Sequence, residues 1–347
     1  MAISLDAVST GIAVSGVPLT SPRTYTHTVG TTGSNTILVV TVCWRGGTSI
    51  DSVTYNGVAM SQIRKETNTT VNSEIYYLVN PATGTNTVSI SHSSVQHLAS
   101  IGISLYGVDQ NNPIDSNSGA NGSSTGPVTT TLTTTQPNTW IIDAGLTRTL
   151  SSETLTMAAM TNRTQRHNAN TAANGIRDGV STVGPAASAG NYIMEWTKSI
   201  DNEWAITAAA FAPAGNYTRG NYPSLPADDT DLETAYSASD ITDVGSANDI
   251  RVSQLASSEF AIHQYKSNVS NRYSATLNWE GQTDLAPTAS TVYLQIYNRN
   301  STTWETVDFD DSSGADTDFP LTANIADLTN YKDSNSIIAC RVYQQAL

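Results

Sequence analysis

Apolar and polar residues alternate with a period of two through most of this chain, and no segment sustains a helical period. Thr24-Tyr-Thr-His-Thr-Val29 puts Tyr25, His27 and Val29 on one face and three threonines on the other. Ile37–Trp44 is almost continuously apolar and reads as a central strand covered on both faces. Ser52–Tyr55 and Val58–Met60 flank Asn56-Gly57, a hairpin signal because both turn residues take positive φ. Glu74–Val79, the Asn80–Gly84 turn and Thr87–Ser91 predict a further hairpin, and Ala99–Tyr106 a further strand. Residues 115–126 are too poor in apolar groups to pack and are expected to form a surface loop. Strands are predicted again at Val128–Thr134, Trp140–Thr147, Gly190–Trp196 and Trp204–Phe211.

The periodicity stops at Ala212–Pro226, where Gly and Pro become dense, and resumes beyond it. Strand patterns then fall at Ile250–Leu255, Phe260–Lys266, Tyr273–Trp279, Thr291–Tyr297, Thr303–Phe309 and Ile337–Tyr343. The fold class expected is all-β: two β-sandwich or jelly-roll domains joined by a Pro/Gly-rich linker. The N-terminal domain is placed at 1–213, the linker at 214–227 and a C-terminal domain at 228–347.

Charge sharpens that division. The net charge is −14, and residues 228–347 hold 18 acidic against 6 basic side chains, net −12. Such an imbalance argues against nucleic acid as a partner, and against docking on anionic membranes. No apolar run is long enough to span a bilayer as a helix. Cys43 and Cys340 each sit in an apolar strand of a different domain and read as buried free thiols. The first nine residues show neither a basic n-region nor an apolar h-region. A Thr/Ser/Asn-rich chain with that start is expected to leave the cell by lysis as part of a particle; a trimmed leader or leaderless export fits the same observation.

Catalytic patterns fail on context. Gly122-Ser-Ser124-Thr-Gly126 matches the G-x-S-x-G nucleophile pattern but lacks the strand before and the helix after that the chemistry requires. His92 and His97 are five apart and lack zincin spacing; His27, on an apolar strand face, is expected as a hydrogen-bonded core histidine. Neither His167 nor His263 completes a zinc pattern. Glu195 and Glu203 each precede a tryptophan in what reads as a hairpin, so alternation sends Trp196 and Trp204 to the core and both acids to solvent. No enzyme activity, catalytic residue or obligatory cofactor is expected. Asp308, Asp310 and Asp316, on a Gly-containing turn, are the calcium candidates, although the spacing is not that of an EF-hand. Tyr217, Tyr222 and Trp304 are candidate glycan contacts, since aromatic rings offer large area with a polar handle.

Several stretches resemble β-rich structural proteins of tailed bacteriophages and prophages. They are Met1–Asp6, Ser52–Met60, Tyr76–Val88, Tyr106–Pro113 and Ala208–Ala214; Val292–Thr306 and Ile338–Gln344 resemble a second, separate module. The resemblance implies a non-catalytic head decoration, fibre or tail component on the virion surface. Its partners would be other capsid or tail proteins and copies of itself. A glycan-binding adhesin, viral or on a bacterial cell surface, is the alternative, with a host-surface glycan as partner.

Overall fold

The computed structural model describes the chain except residues 1–2, 17, 32, 34, 111, 124–125, 136–137, 150–152, 187, 238–239, 241–242, 245–249, 270–271, 334–335 and 347, and the side chain of Asn268. The serine of the G-x-S-x-G pattern, Ser124, lies outside the described residues. The chain is all-β, its strands pair antiparallel, and it forms two compact units, Ala2–Ala214 and Gly215–Leu347.

The first unit opens with β1 (Ser4–Val8), β2 (Ile12–Ser15), β3 (Arg23–Val29), β4 (Ile37–Arg45) and β5 (Ser49–Tyr55). Next come β6 (Val58–Ala59), β7 (Ser61–Asn68), β8 (Val71–Val79), β9 (Gly84–Ser93) and β10 (His97–Tyr106). One sheet runs β1-β10-β4-β8-β7, with β2 also on β10, and the facing sheet runs β3-β9-β5-β6. First strand beside last, with the chain passing repeatedly between two sheets, is the jelly-roll order. The predicted Asn56-Gly57 turn closes β5 onto β6, with φ of 49° and 78°.

The unit then repeats itself. Its second half comprises β11 (Ile114–Gly122), β12 (Val128–Thr134), β13 (Thr139–Arg148) and β14 (Leu155–Met157), then β15 (Arg163–Asn170), β16 (Ile176–Ala186), β17 (Gly190–Lys198) and β18 (Trp204–Phe211). The sheets run β11-β18-β13-β16-β15 and β12-β17-β14, matching the first half strand for strand apart from β2 and β6. Register is kept as well. Ile37 pairs with Leu105 as Trp140 pairs with Phe211, and Val29 pairs with Gly84 as Thr134 pairs with Gly190. In both halves the first strand bulges at an aspartate, Asp6 or Asp115, whose Oδ2 accepts the backbone N–H just past the second sheet's first strand (Gly30 or Thr135), each at 2.9 Å. Asn35 and Asn138, at left-handed φ of 55° and 60°, turn the chain into β4 and β13. Residues 1–213, expected as one sandwich, are therefore two jelly rolls. The expected loop 115–126 is mostly β11, a strand because β18 pairs with it even though few of its side chains are apolar.

The two halves stack through their larger sheets, giving four layers. Alternate residues of β4 serve different cores: Leu38, Val40 and Val42 face the β3-β9-β5-β6 sheet, while Ile37, Val39 and Cys43 face β13 and β16. This double duty explains why β4 is apolar at every position from Ile37 to Trp44 except Thr41. Ser73 of β8 stitches the middle layer, donating to Ala144 O and accepting from Thr207 Oγ1, both at 2.7 Å.

Each half also buries one carboxylate against a tryptophan. Glu74 accepts Trp44 Nε1 at 2.9 Å and Gln62 Nε2 at 2.8 Å, with Lys65 at 3.2 Å. Asp143 pairs with Arg163 at 2.8 Å, both side chains fully buried, and also accepts Trp196 Nε1 and Ser181 N. Arg163 in turn donates to Ser181 Oγ, Glu195 O and Ala158 O. The Trp196 ring lies against Gly179, where an added Cβ would come within 2.7 Å of it.

The second unit holds β19 (Asn216–Tyr222), β20 (Thr234–Ala235), β21 (Phe260–Asn268) and β22 (Ala275–Gly281), then β23 (Val292–Asn298), β24 (Thr303–Asp310), β25 (Phe319–Ile325) and β26 (Ile337–Gln345). Its sheets run β20-β19-β21-β26-β23-β24 and β22-β25. The order is a reduced jelly roll, with β21, β26, β23 and β24 corresponding to β1, β10, β4 and β8, and β22 and β25 to β3 and β9. The segment 214–227, expected as a linker, contributes β19, which pairs along its whole length with β21. Ile250–Leu255, expected as a strand, makes no ladder. Arg219 and Asn221 of β19 instead donate side-chain hydrogen bonds to the carbonyls of Ser253 and Leu255. Cys43 and Cys340 are free and buried. No helix among the described residues is long and apolar enough to cross a membrane.

Removing one partner of the buried pair leaves an uncompensated charge. Arg163→Met is expected to cost about 3–5 kcal/mol in denaturant unfolding, and the Asp143→Leu/Arg163→Met double variant far less. A single variant within about 1 kcal/mol of the parent would show that Asp143 does not rely on Arg163.

Candidate functional site

Most of the chemistry-bearing residues are taken up by the scaffold. His27 is buried, and its Nε2 meets Ser104 Oγ at 3.0 Å. Ser104 sends its own proton to Asp6 Oδ2 at 2.6 Å, so the imidazole must be the donor to the serine. A nucleophilic serine needs the reverse, with histidine taking its proton. Burial, only partly opposed by the charge of Asp6, brings His27 down to about 4. His92 and His97 are buried on β9 and β10, and burial lowers both. His167 is bonded to Asp178 at 2.6 Å; burial works downward, but the hydrogen bond and charge of Asp178 raise it overall.

Trp196 and Trp204 do enter one core, yet the strands before and after 199–203 lie in opposing sheets, not in the hairpin expected from the sequence. Glu195 is half-buried, and Glu203 accepts a hydrogen bond from Thr70 Oγ1 at 2.7 Å. The calcium candidates are likewise engaged. Asp308 accepts the N–H groups of Phe309 and Thr322, and Asp310 those of Ser312 and Ser313. Asp316, at φ 54°, donates its own N–H to Thr283 O. Among the described residues no three His, Cys, Asp or Glu side chains gather as a metal-holding group.

The second unit contains a cavity of about 940 Å³. Its origin is a mismatch of sheets: two strands, β22 and β25, face a sheet of six. Beneath that ribbon the inner face is aliphatic, with Val292, Leu294 and Val342 packed on Leu321 and Leu277. The remainder of the face, on β19 and β21, carries Tyr217, His263 and Tyr265, and segment 250–256 walls it in. Tyr217 packs on Tyr265 at 5.6 Å and on Tyr236 at 5.9 Å. The Tyr236 hydroxyl and His263 Nδ1 share a short hydrogen bond. Burial, with Arg219 adding to it, brings His263 down to about 4, and burial pushes Tyr236 up to about 12. At neutral pH His263 and Tyr236 are therefore uncharged, and this part of the lining is rich in hydrogen-bonding groups.

Of the three aromatic candidates, only Tyr217 lines the cavity. Tyr222 packs in the cluster of Leu232 and Ile262, and its hydroxyl accepts Glu233 N. Trp304 lies under the Arg341 guanidinium at 4.2 Å and donates to Asp228 O. His263 and Tyr265 could have been found by alternation in Phe260–Lys266, which sets Ala261, His263 and Tyr265 on one face. Tyr236 carried no such signal.

No family model matches the chain, and no curated protein matches it. A solved structure described as "The Triple Jelly Roll Fold and Turret Assembly in an Archaeal Virus" aligns over 99% of this chain and 90% of its own, at 12% identity and a TM-score of 0.20. A likeness that low carries no argument, and the jelly-roll reading rests on strand order alone.

Two measurements follow from this geometry. The unfolded chain takes up a proton on His27 below about pH 6.5, which the folded chain refuses until about pH 4. Stability from this group is thus present above that window and lost as pH falls through it, by about 3 kcal/mol at its lower end. His27→Gln is expected to narrow the stability gap between pH 7 and pH 4.5; an unchanged gap would show that His27 titrates freely. Thermal midpoints with millimolar calcium and with EDTA are expected to coincide, and a rise with calcium would restore the Asp308–Asp316 turn as a site.

Proposed function

We propose that this chain is a non-catalytic structural protein on the surface of a virus particle, a head decoration, fibre or tail component assembled with other virion proteins and with copies of itself. The observation that carries this reading is the use of polar groups inside the tandem jelly rolls. Asp143, Glu74 and the Ser104–Asp6 bond each close on their own scaffold, which supports a rigid building block over a reaction centre. The resemblance to phage structural proteins supports it too, since its motifs fall on the β5–β6 and β8–β9 hairpins and on the segments leaving β10 and β18. In this reading the N-terminal unit attaches to the particle and the strongly acidic C-terminal unit faces outward. Edge strand β24 carries Glu305, Asp308 and Asp310 and a bulge in its pairing with β23, which disfavours self-association through that edge.

Quantitative mass spectrometry of density-purified particles and of washed cells tests the proposal. Enrichment in particles at a fixed ratio to the major capsid protein is expected, and a chain ending at Ala214 should remain on them. Enrichment on cells with none in particles would replace this reading with that of a cell-surface adhesin.

A further inference from the structure

We infer that the cavity of the C-terminal unit binds a neutral oligosaccharide, whether the protein is carried on a particle or on a cell. The first observation is the change of lining chemistry across a single sheet face. A sandwich that needed only a core would continue the aliphatic layer of Val292, Leu294 and Val342 across β21 and β19. The chain instead places Tyr217, His263 and Tyr265 there and brings in Tyr236 beside them. Trp279 of β22 also lines the cavity, in contact with the Tyr265 hydroxyl. Aromatic rings pack on the C–H faces of sugars, while phenol, imidazole and carboxamide groups match their hydroxyls. Gln254 and Gln344 also stand at the cavity wall, their amide nitrogens held by Asn221 Oδ1 and by the Leu285 and Ser290 carbonyls.

Size and charge narrow the ligand. A volume of about 940 Å³ lies near the upper end of the range of about 300–1,000 Å³ for small-molecule sites, large enough for more than one sugar ring. Asp243, Glu280, Asp284 and Asp316 stand among the lining residues, and the lining guanidinium of Arg251 is paired with Asp318 at 2.6 Å. That field repels uronates, sialic acids, phosphates and fatty-acid head groups. Neutral sugars carry no such penalty. The floor of the site is β21, which is held by β19 and β26 along its length, so the rings are set before a ligand arrives.

The test is isothermal titration of the full chain with neutral hexasaccharides of glucose, mannose and N-acetylglucosamine, and with hyaluronan hexasaccharide as the acidic comparison. Saturable binding to at least one neutral oligomer and none to hyaluronan is expected. Ala261→Leu, which fills the cavity from the N-terminal end of β21, should abolish binding with the thermal midpoint kept. Tyr236→Phe, which removes one hydroxyl at constant shape, should weaken binding about two- to tenfold and serves if the first variant does not fold. The inference is overturned by no saturable heat with any neutral oligomer at millimolar concentration, by equal binding of hyaluronan, or by undiminished binding in a folded variant. Because the titration uses isolated protein, its failure leaves the virion assignment standing, and failure of that assignment leaves the cavity untouched.

Discussion

The N-terminal unit depends on two large sheets, each buried on both faces. A sheet in that position has no wet side on which to leave polar atoms, so every strand through its centre must be apolar at consecutive positions or satisfy its polar groups internally. β4 takes the first course at every position but Thr41, with all residues from Ile37 to Trp44 buried. β13 takes both, since Asp143 stands among its apolar residues and is held by Arg163, Trp196 and Ser181. The Ser73 bonds to Ala144 and Thr207 apply the same rule between the stacked sheets, giving a middle layer with fixed lateral register as well as buried area.

Repetition places this constraint on both halves, and comparing them separates what the topology requires from what it merely allows. The aspartate bulges are required: Asp6 and Asp115 tie the first strand of one sheet to the end of the next strand in the other, fixing the entry crossing of the roll. The buried carboxylate is freer, arising from β8 in one half and from β13 in the other, while its tryptophan partner comes from β4 and then from β17. Each of the two N-terminal rolls thus carries one internal carboxyl group bonded to an indole, reached by different residues. Each is closed by its own set of partners, Gln62 and Lys65 in one half and Arg163 and Ser181 in the other.

Period-two alternation made the all-β class legible, along with the two-sided burial of Ile37–Trp44, the Asn56-Gly57 turn and the core placement of His27. Strands whose side chains are polar were not legible. β11, β15 and β19 owe their conformation to neighbours that supply backbone partners, and such neighbours leave no mark on the strand's own composition. The duplication escaped for a related reason: its signature is register and bulge position, while insertions such as the longer turn between β15 and β16 (171–175, against 69–70 between β7 and β8) shift the spacing of equivalent residues. Ile250–Leu255 failed in the opposite direction. Its pattern suits a strand, but the adjacent β19 already holds β20 and β21, so the segment is carried by Arg219 and Asn221 side chains. At the candidate site, Tyr217 was visible as an aromatic yet not as part of a cluster, because Tyr236 reaches it from outside any readable strand.

The cavity is the price of a jelly roll with strands missing from its smaller sheet. In the first two rolls, three or four strands cover the larger sheet, and the enclosed space fills with Leu, Ile, Val and Trp. In the third, a two-strand ribbon covers only part of a sheet that β19 and β20 have widened. Two outcomes are open to a face uncovered in this way. It can be sealed by an apolar loop, or it can be lined with groups that tolerate both water and contact. The side chains on β19 and β21 are of the second kind, and the segment above them is tethered through carbonyls, leaving the space beneath it unfilled. The fold that in the N-terminal unit packs its polar groups into filled cores sets them beside open space here, which places recognition in the unit whose second sheet is incomplete.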